Sequence, residues 1–112
     1  MNIHDVIAVC ECETVCMNAS AATVPVREIV SSDLMSDVLV NDREISMLIT
    51  SLATPQALRT ADIVNARSVL IVNGKSITDD MVAMARDLGL TLLRTEKASF
   101  TVCGLLYARM QG

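Results

Sequence analysis

The sequence predicts an α/β domain with a mostly parallel sheet, on three observations. From residue 45 onward, short β-branched apolar runs alternate with amphipathic segments that open on helix-capping residues. The connections between them are short, so the β-α-β-α-β-α order implies parallel strands joined by right-handed crossovers. The hydrophobic fraction is 52% over 112 residues, which suits a sheet buried on both faces within three layers.

The elements follow in order. Ile3, Val6, Ile7 and Cys10 repeat at i, i+3, i+4 and i+7, the pattern of a short helix. Residues 13–17 form a short apolar segment, expected as an edge or early strand, and 18–23 a loop of small residues. Val24 to Val30 alternates like a strand, with Pro25 tolerated near its start or on an edge. Ser32 or Asp33 then caps a helix whose apolar face is Leu34, Val38 and Leu39, with Met35 beside it. Asp33 and Asp37 fall at i, i+4 on that helix, as a cap and a solvated carboxylate or as a pair converging on a cation. Residues 41–44 are the polar connection onward.

Ile45 to Thr50 is a strand, with Met47 in the core, and residues 51–53 turn. Thr54 suits an N-cap and Pro55 the first helical position, where its missing N–H costs nothing. Leu58, Ala61, Ile63 and Val64 carry that helix inward. Arg67 to Val72 reads as a fully buried parallel strand, and residues 73–75 turn. Ser76 or Thr78 caps the next helix, Asp79 and Asp80 favour its first turn, and Gly89 ends it. Leu90 to Arg94 is the last strand and Ser99 to Met110 the last helix.

The length suits one domain spanning 1–112. No run approaches the roughly 18 to 20 apolar residues of a membrane span. The high mean hydropathy, +0.46, therefore points to apolar surface covered by another copy, and a homo-oligomer is expected. The surfaces around Met81, Met84 and Met110 are candidate interface, with core packing as the competing reading. The first residues lack a basic segment followed by an apolar one, so a cytoplasmic protein without a membrane partner is expected. A net charge of −4, from 9 basic and 13 acidic residues, with one Phe, one Tyr and no Trp, argues against a nucleic-acid partner.

Cys10, Cys12, Cys16 and Cys103 are expected as free thiols, and the first three do not match common zinc or iron–sulfur spacings. With a strand over 14–17, Cys12 and Cys16 would share one face. A cysteine-based metal or redox role is the minor alternative to simple packing. His4, the single histidine, lacks partners at ligand spacing and is expected in solvent.

Ligands of parallel sheets bind beyond the carboxyl ends of the strands. Here those ends gather Thr50, Ser51, Thr54, Asn73, Lys75, Arg94, Thr95 and Ser99 on one rim, a donor-rich set suited to an anionic group. The Gly-Lys-Ser fragment at 74–76 lacks the preceding glycine of a phosphate loop and is expected to be a turn. No catalytic constellation, metal set or cofactor motif is apparent, so the rim is expected to bind rather than transform.

Several stretches resemble the DRTGG-domain family, which is similar to the N-terminal domain of HPr kinase/phosphorylase. They are Val30 to Val38 (with its Asp-Leu-Met-Ser-Asp core), the Ile49–Thr50 strand end, Val69 to Gly74, Leu93 to Thr95 leading to Ser99–Phe100, and Gly104 to Tyr107. The signature itself should follow Thr50, where Ser51-Leu-Ala-Thr-Pro-Gln56 stands instead, with no Asp-Arg pair and no Gly-Gly. The resemblance is to short, stand-alone members of the family. It implies a non-enzymatic regulatory or accessory domain, a homodimer, and a partner protein in a redox or hydrogenase-related system. Nucleotide binding at the rim is the alternative that it implies.

Overall fold

The computed structural model describes residues 1–41 and 43–112, so Asp42 of the expected 41–44 connection lies outside the described residues. Ten helices and strands are described: α1 (Ile3–Cys10), β1 (Glu13–Cys16), β2 (Ile29–Ser31), α2 (Met35–Leu39), β3 (Met47–Thr50), α3 (Pro55–Ile63), β4 (Ser68–Ile71), α4 (Asp79–Leu88), β5 (Thr91–Arg94) and α5 (Ser99–Gln111). A single 3-10 turn at Ala21–Thr23 interrupts the loop after β1.

The sheet runs β1-β5-β4-β3-β2. β2, β3, β4 and β5 are parallel, and β1 joins antiparallel to β5. The register explains why the central runs are apolar throughout. Leu48, Val69 and Leu92 stand abreast on one face, and Ile49, Leu70 and Leu93 on the other. All six are buried, so neither face offers a place for a polar residue there. The first face packs on α2, α3 and α4 through Met35, Val38, Leu58, Ala61, Met81 and Ala85. The second packs on α1 and α5 through Ile3, Val6, Cys10, Val102 and Leu106. The three-layer α/β fold with a mostly parallel sheet is therefore present, in the β-α-β-α-β-α order expected from residue 45.

Capping chemistry positions the helices. Asn2 and Asp5 form a reciprocal capping box on α1: Asp5 N–H donates to Asn2 Oδ1 at 3.0 Å and Asn2 N–H to Asp5 Oδ2 at 2.9 Å. Thr78 Oγ1 accepts from Met81 N–H at 3.3 Å and starts α4, which ends on Gly89 at φ +71°.

Five expectations change. Of the stretch from Val24 to Val30, only Ile29 and Val30 enter a strand. Pro25 has no N–H, Val26 N–H goes to the Met1 carbonyl at 2.8 Å, and Arg27 N–H goes to Ser46 Oγ at 3.1 Å, leaving none of these donors for a ladder. The helix expected from Ser32 or Asp33 begins only at Met35, with Leu34 at the cap position and no side-chain cap bond. Asp33 thus precedes the helix, and the i, i+4 pairing with Asp37 does not form. On α2 the buried residues are Met35 and Val38, while Leu34 and Leu39 are exposed. Ile63, near the end of α3, is 71% exposed rather than inward. Cys12 and Cys16 pack on opposite faces of the sheet, because the pairing shifts between Thr14 and Cys16 and a bulge reverses the alternation.

Gly89 supports a prediction. Its positive φ suits a residue without a Cβ, and an added Cβ would lie 3.3 Å from Asn18 Nδ2, which donates to the Gly89 carbonyl at 2.6 Å. Gly89→Ala should lower unfolding stability by about 1–2 kcal/mol in urea titration, with the far-UV spectrum unchanged.

Candidate functional site

At the carboxyl end of β3, Asp33 reaches across from the segment after β2 and gathers three donors. Its Oδ1 accepts Ser51 N–H at 2.7 Å and Thr50 Oγ1–H at 3.0 Å, and its Oδ2 accepts Ser51 Oγ–H at 2.7 Å. Thr50 Oγ1 in turn accepts Leu52 N–H at 3.1 Å. These bonds hold the Asp33 carboxyl below the usual carboxylate range, the Ser51 hydroxyl contributing most, then the Ser51 amide, with Thr50 and the Lys75 charge assisting and partial burial opposing. The sequence had placed Asp33 as a cap, and the same short oxygen-bearing side chain serves here as a clamp.

A second network lies at the ends of β4 and β5. Thr95 Oγ1 donates to the Cys10 carbonyl at 2.8 Å and accepts Lys97 N–H at 3.2 Å. Asn73 N–H donates to the Lys97 carbonyl at 2.9 Å, and Asn73 Oδ1 accepts Ser99 N–H at 3.3 Å at the start of α5. Asn73, Thr95 and Ser99 are thus brought together. Arg94 donates to the Lys75 carbonyl at 2.7 Å and the Gly74 carbonyl at 3.1 Å. It also pairs with Glu96 at 2.7 Å and Glu13 at 3.3 Å, and Glu96 contributes most to holding its guanidinium in the charged form. The cation expected to receive an anion therefore already serves two carboxylates and a turn.

Two rim residues stay outside these networks. Thr54 sits at the N-cap position of α3, but its Oγ1 is buried and makes no hydrogen bond. The Lys75 ammonium makes no ion pair among the described residues. The hydroxyls of Thr50 and Thr95 are buried and engaged, so the exposed polar groups of the rim are those of Asn73 and Lys75, with Ser51 and Ser99 half-buried.

The cysteines divide. Cys10 and Cys12 pack on the α1 and α5 side with Cys103, Cys16 packs on the other face, and all four are free thiols. Cys10 is pulled toward its thiolate first by a hydrogen bond with Cys12 and further by Lys97, against burial, while Cys12 is pushed the other way by the same bond. Among the described residues no group of three or more His, Cys, Asp or Glu is placed to hold a metal.

Two grooves escaped the sequence. One, of about 240 Å³, lies at the amino ends of the strands between Ser46, Asn65, Arg67 and Asn18. The other, of about 290 Å³, lies between β2 and α5 and is walled by Ile29, Ile49, Cys103, Leu106, Tyr107 and Met110. Neither is lined by a rim residue. The spacing that puts Cys103, Leu106 and Met110 on one flank of α5 was legible. An edge position for the strand after Pro25 was among those the proline allowed, and β2 takes it.

Among the described residues no helix is long and apolar enough to cross a membrane. No protein-family model matches the chain. No curated protein matches it. Among solved structures, the chain is similar to the CBS and DRTGG domains of the regulatory region of Clostridium perfringens pyrophosphatase, complexed with activator, diadenosine tetraphosphate. It superposes with a TM-score of 0.74 at 13% identity, over 94% of this chain. The chain spans 45% of that structure's length. At this identity the likeness establishes a shared fold, and the fold is DRTGG-like.

The Asp33 clamp makes stability depend on acid. Its folded-state pKa lies below the unfolded value near 3.8, so its contribution is complete above about pH 4–5 and is lost as pH falls through the lower, folded value. Asp33→Asn should destabilise the protein by about 1–2 kcal/mol at pH 7. Urea titrations should show this difference shrinking below pH 4, where the wild-type carboxyl is itself protonated.

Proposed function

We propose that residues 1–112 are one non-enzymatic regulatory or accessory domain that acts through homodimerisation and contact with a partner protein. The observation that carries this reading is α5. Its only charged residue is Arg109, paired with Asp5 at 3.6 Å, and beyond its buried Val102 and Leu106 it leaves Phe100 91% and Tyr107 68% exposed. A helix apolar on nearly all sides belongs in an interior, and the monomer covers only one of its faces. Of the other interface candidates, Met110 remains exposed, whereas Met81 is fully buried under α4 and Met84 half-buried against the same core. The rim supports the same reading, since Thr50, Ser51, Arg94 and Thr95 already bond to neighbouring parts of the fold and tie its corners together. Sedimentation equilibrium at micromolar concentration should give a dimer, and Phe100→Glu should weaken it without loss of helix content. A wild-type monomer would remove the reading.

A second reading rests on Thr54 and Lys75: the domain senses a nucleotide or similar anion at the rim. A buried hydroxyl without a hydrogen bond and a cation without an ion pair among the described residues are what an anionic group would complete. The dinucleotide activator of the pyrophosphatase region makes adenine nucleotides the natural probes. Millimolar ATP or diadenosine tetraphosphate should raise Tm by a few degrees, on the order of the stabilisation expected of a ligand well above its Kd. Lys75→Ala and Thr54→Ala should each reduce the shift. An unchanged Tm would leave self-association as the whole of the activity.

A further inference from the structure

The two edges of the sheet are built differently. The β1 edge carries Glu13 and the irregularity between Thr14 and Cys16, features that discourage another strand from pairing. The β2 edge is Ile29-Val30-Ser31, without charge, proline or bulge. Along β2 the groups that bond to β3 are those of Glu28, Val30 and Ser32: the Glu28 carbonyl accepts Met47 N–H at 3.3 Å and Ser32 N–H reaches the Ile49 carbonyl at 3.0 Å. The N–H and C=O of Ile29 and Ser31 therefore point away from the sheet, and among the described residues nothing bonds to them. Beside this edge lies the apolar groove whose far wall is the Leu106 and Met110 flank of α5.

From this geometry we infer that β2 is the pairing strand of the homodimer: a second copy docks its own β2 antiparallel, extending the sheet across a two-fold axis. The inference rests on the self-association proposed above and names its surface. A two-fold axis at Val30 sets Ile29 opposite Ser31 of the second copy. These are the residues with outward backbone groups, so both crossings become hydrogen-bonded pairs, about four new bonds in all. Val30 then meets its symmetry mate at a non-hydrogen-bonded position, where side chains approach most closely and a β-branched pair packs well. The same register sets Arg27 opposite Asp33 of the second copy. Arg27 is exposed and makes no ion pair among the described residues, while Asp33 is exposed too and its Oδ2 accepts only the Ser51 hydroxyl, so it keeps room for a cation from the second copy and the edge is complementary in charge to itself. The second copy would also close the mouth of the groove and bring the two α5 helices to the same side of the joined sheet. An extended segment of another protein would satisfy the backbone groups equally but has no reason to carry an acidic group opposite Arg27.

Amide hydrogen exchange on the full chain tests this at concentrations where sedimentation defines the oligomer. A dimer in which the Ile29 and Ser31 amides exchange at least about tenfold more slowly than on dilution to monomer is the expected result. Ser31→Pro removes only an outward donor and should yield a monomer with an unchanged far-UV spectrum. Arg27→Glu should raise the dimer Kd about tenfold at low salt and less at high salt. A dimer whose Ile29 and Ser31 amides exchange as freely as exposed ones overturns this interface and leaves self-association standing. A wild-type monomer overturns both. If Ser31→Pro fails to fold, the exchange of the wild-type amides still decides.

Discussion

The structure depends on burying one parallel sheet on both faces at once. Every residue of β3 and β4 is buried, and so are the first three of β5. Strands so enclosed cannot satisfy backbone groups with water, so each must have a neighbour on either side, and each face needs helices long enough to seal it. The short crossovers through α3 and α4 place both helices on the same face, leaving the opposite face to α1 and α5. The N-terminal helix thus closes a core made mainly by residues after 45. Burial of each Leu, Ile or Val in these rows contributes about 1.5–3 kcal/mol, which makes the paired faces the dominant stabilising term.

With the interior so apolar, polar chemistry is confined to the strand ends, where it serves the corners. Asp33 ties the end of β2 to the end of β3, Arg94 ties β5 to the turn after β4, and Thr95 ties β5 to the end of α1. These side chains do for the turns what ladder bonds do for the strands. A rim of this kind is stiff, and what it offers a ligand is the little left over: a lysine, an uncapped threonine and the start of a helix.

How much of this the sequence disclosed follows from the range of each signal. The strands and helices from 45 onward were legible because β-branched runs, caps and a terminal glycine act within a few residues. The segment from Val24 to Glu28 misled, since its alternation is that of a strand while its donors were taken by Met1 and by Ser46, a residue 19 positions from Arg27. Asp33 was recognised as important for the wrong partner: a cap and a clamp need the same residue type, and only the fold brings Ser51 within 2.7 Å. The rim residues could be named from the strand ends. Which hydroxyls were already engaged could not, because Thr95 and Cys10 meet across 85 positions. The parity of Cys12 and Cys16 failed on one irregularity in pairing, which composition does not announce.

The antiparallel seat of β1 beside β5 has a consequence for how the chain is made. The strand that emerges first pairs with the strand that emerges last, so residues 13–16 wait until 91–94 have left the ribosome. Until then α1 lacks its later partners on β5 and α5, Leu93, Val102 and Leu106, so Ile3, Val6 and Cys10 are only partly covered. The parallel units from β2 to β5 can meanwhile form in order, each against its predecessor. Closure by the N-terminal segment is then a late, long-range event, the kind that loop-closure entropy makes slow.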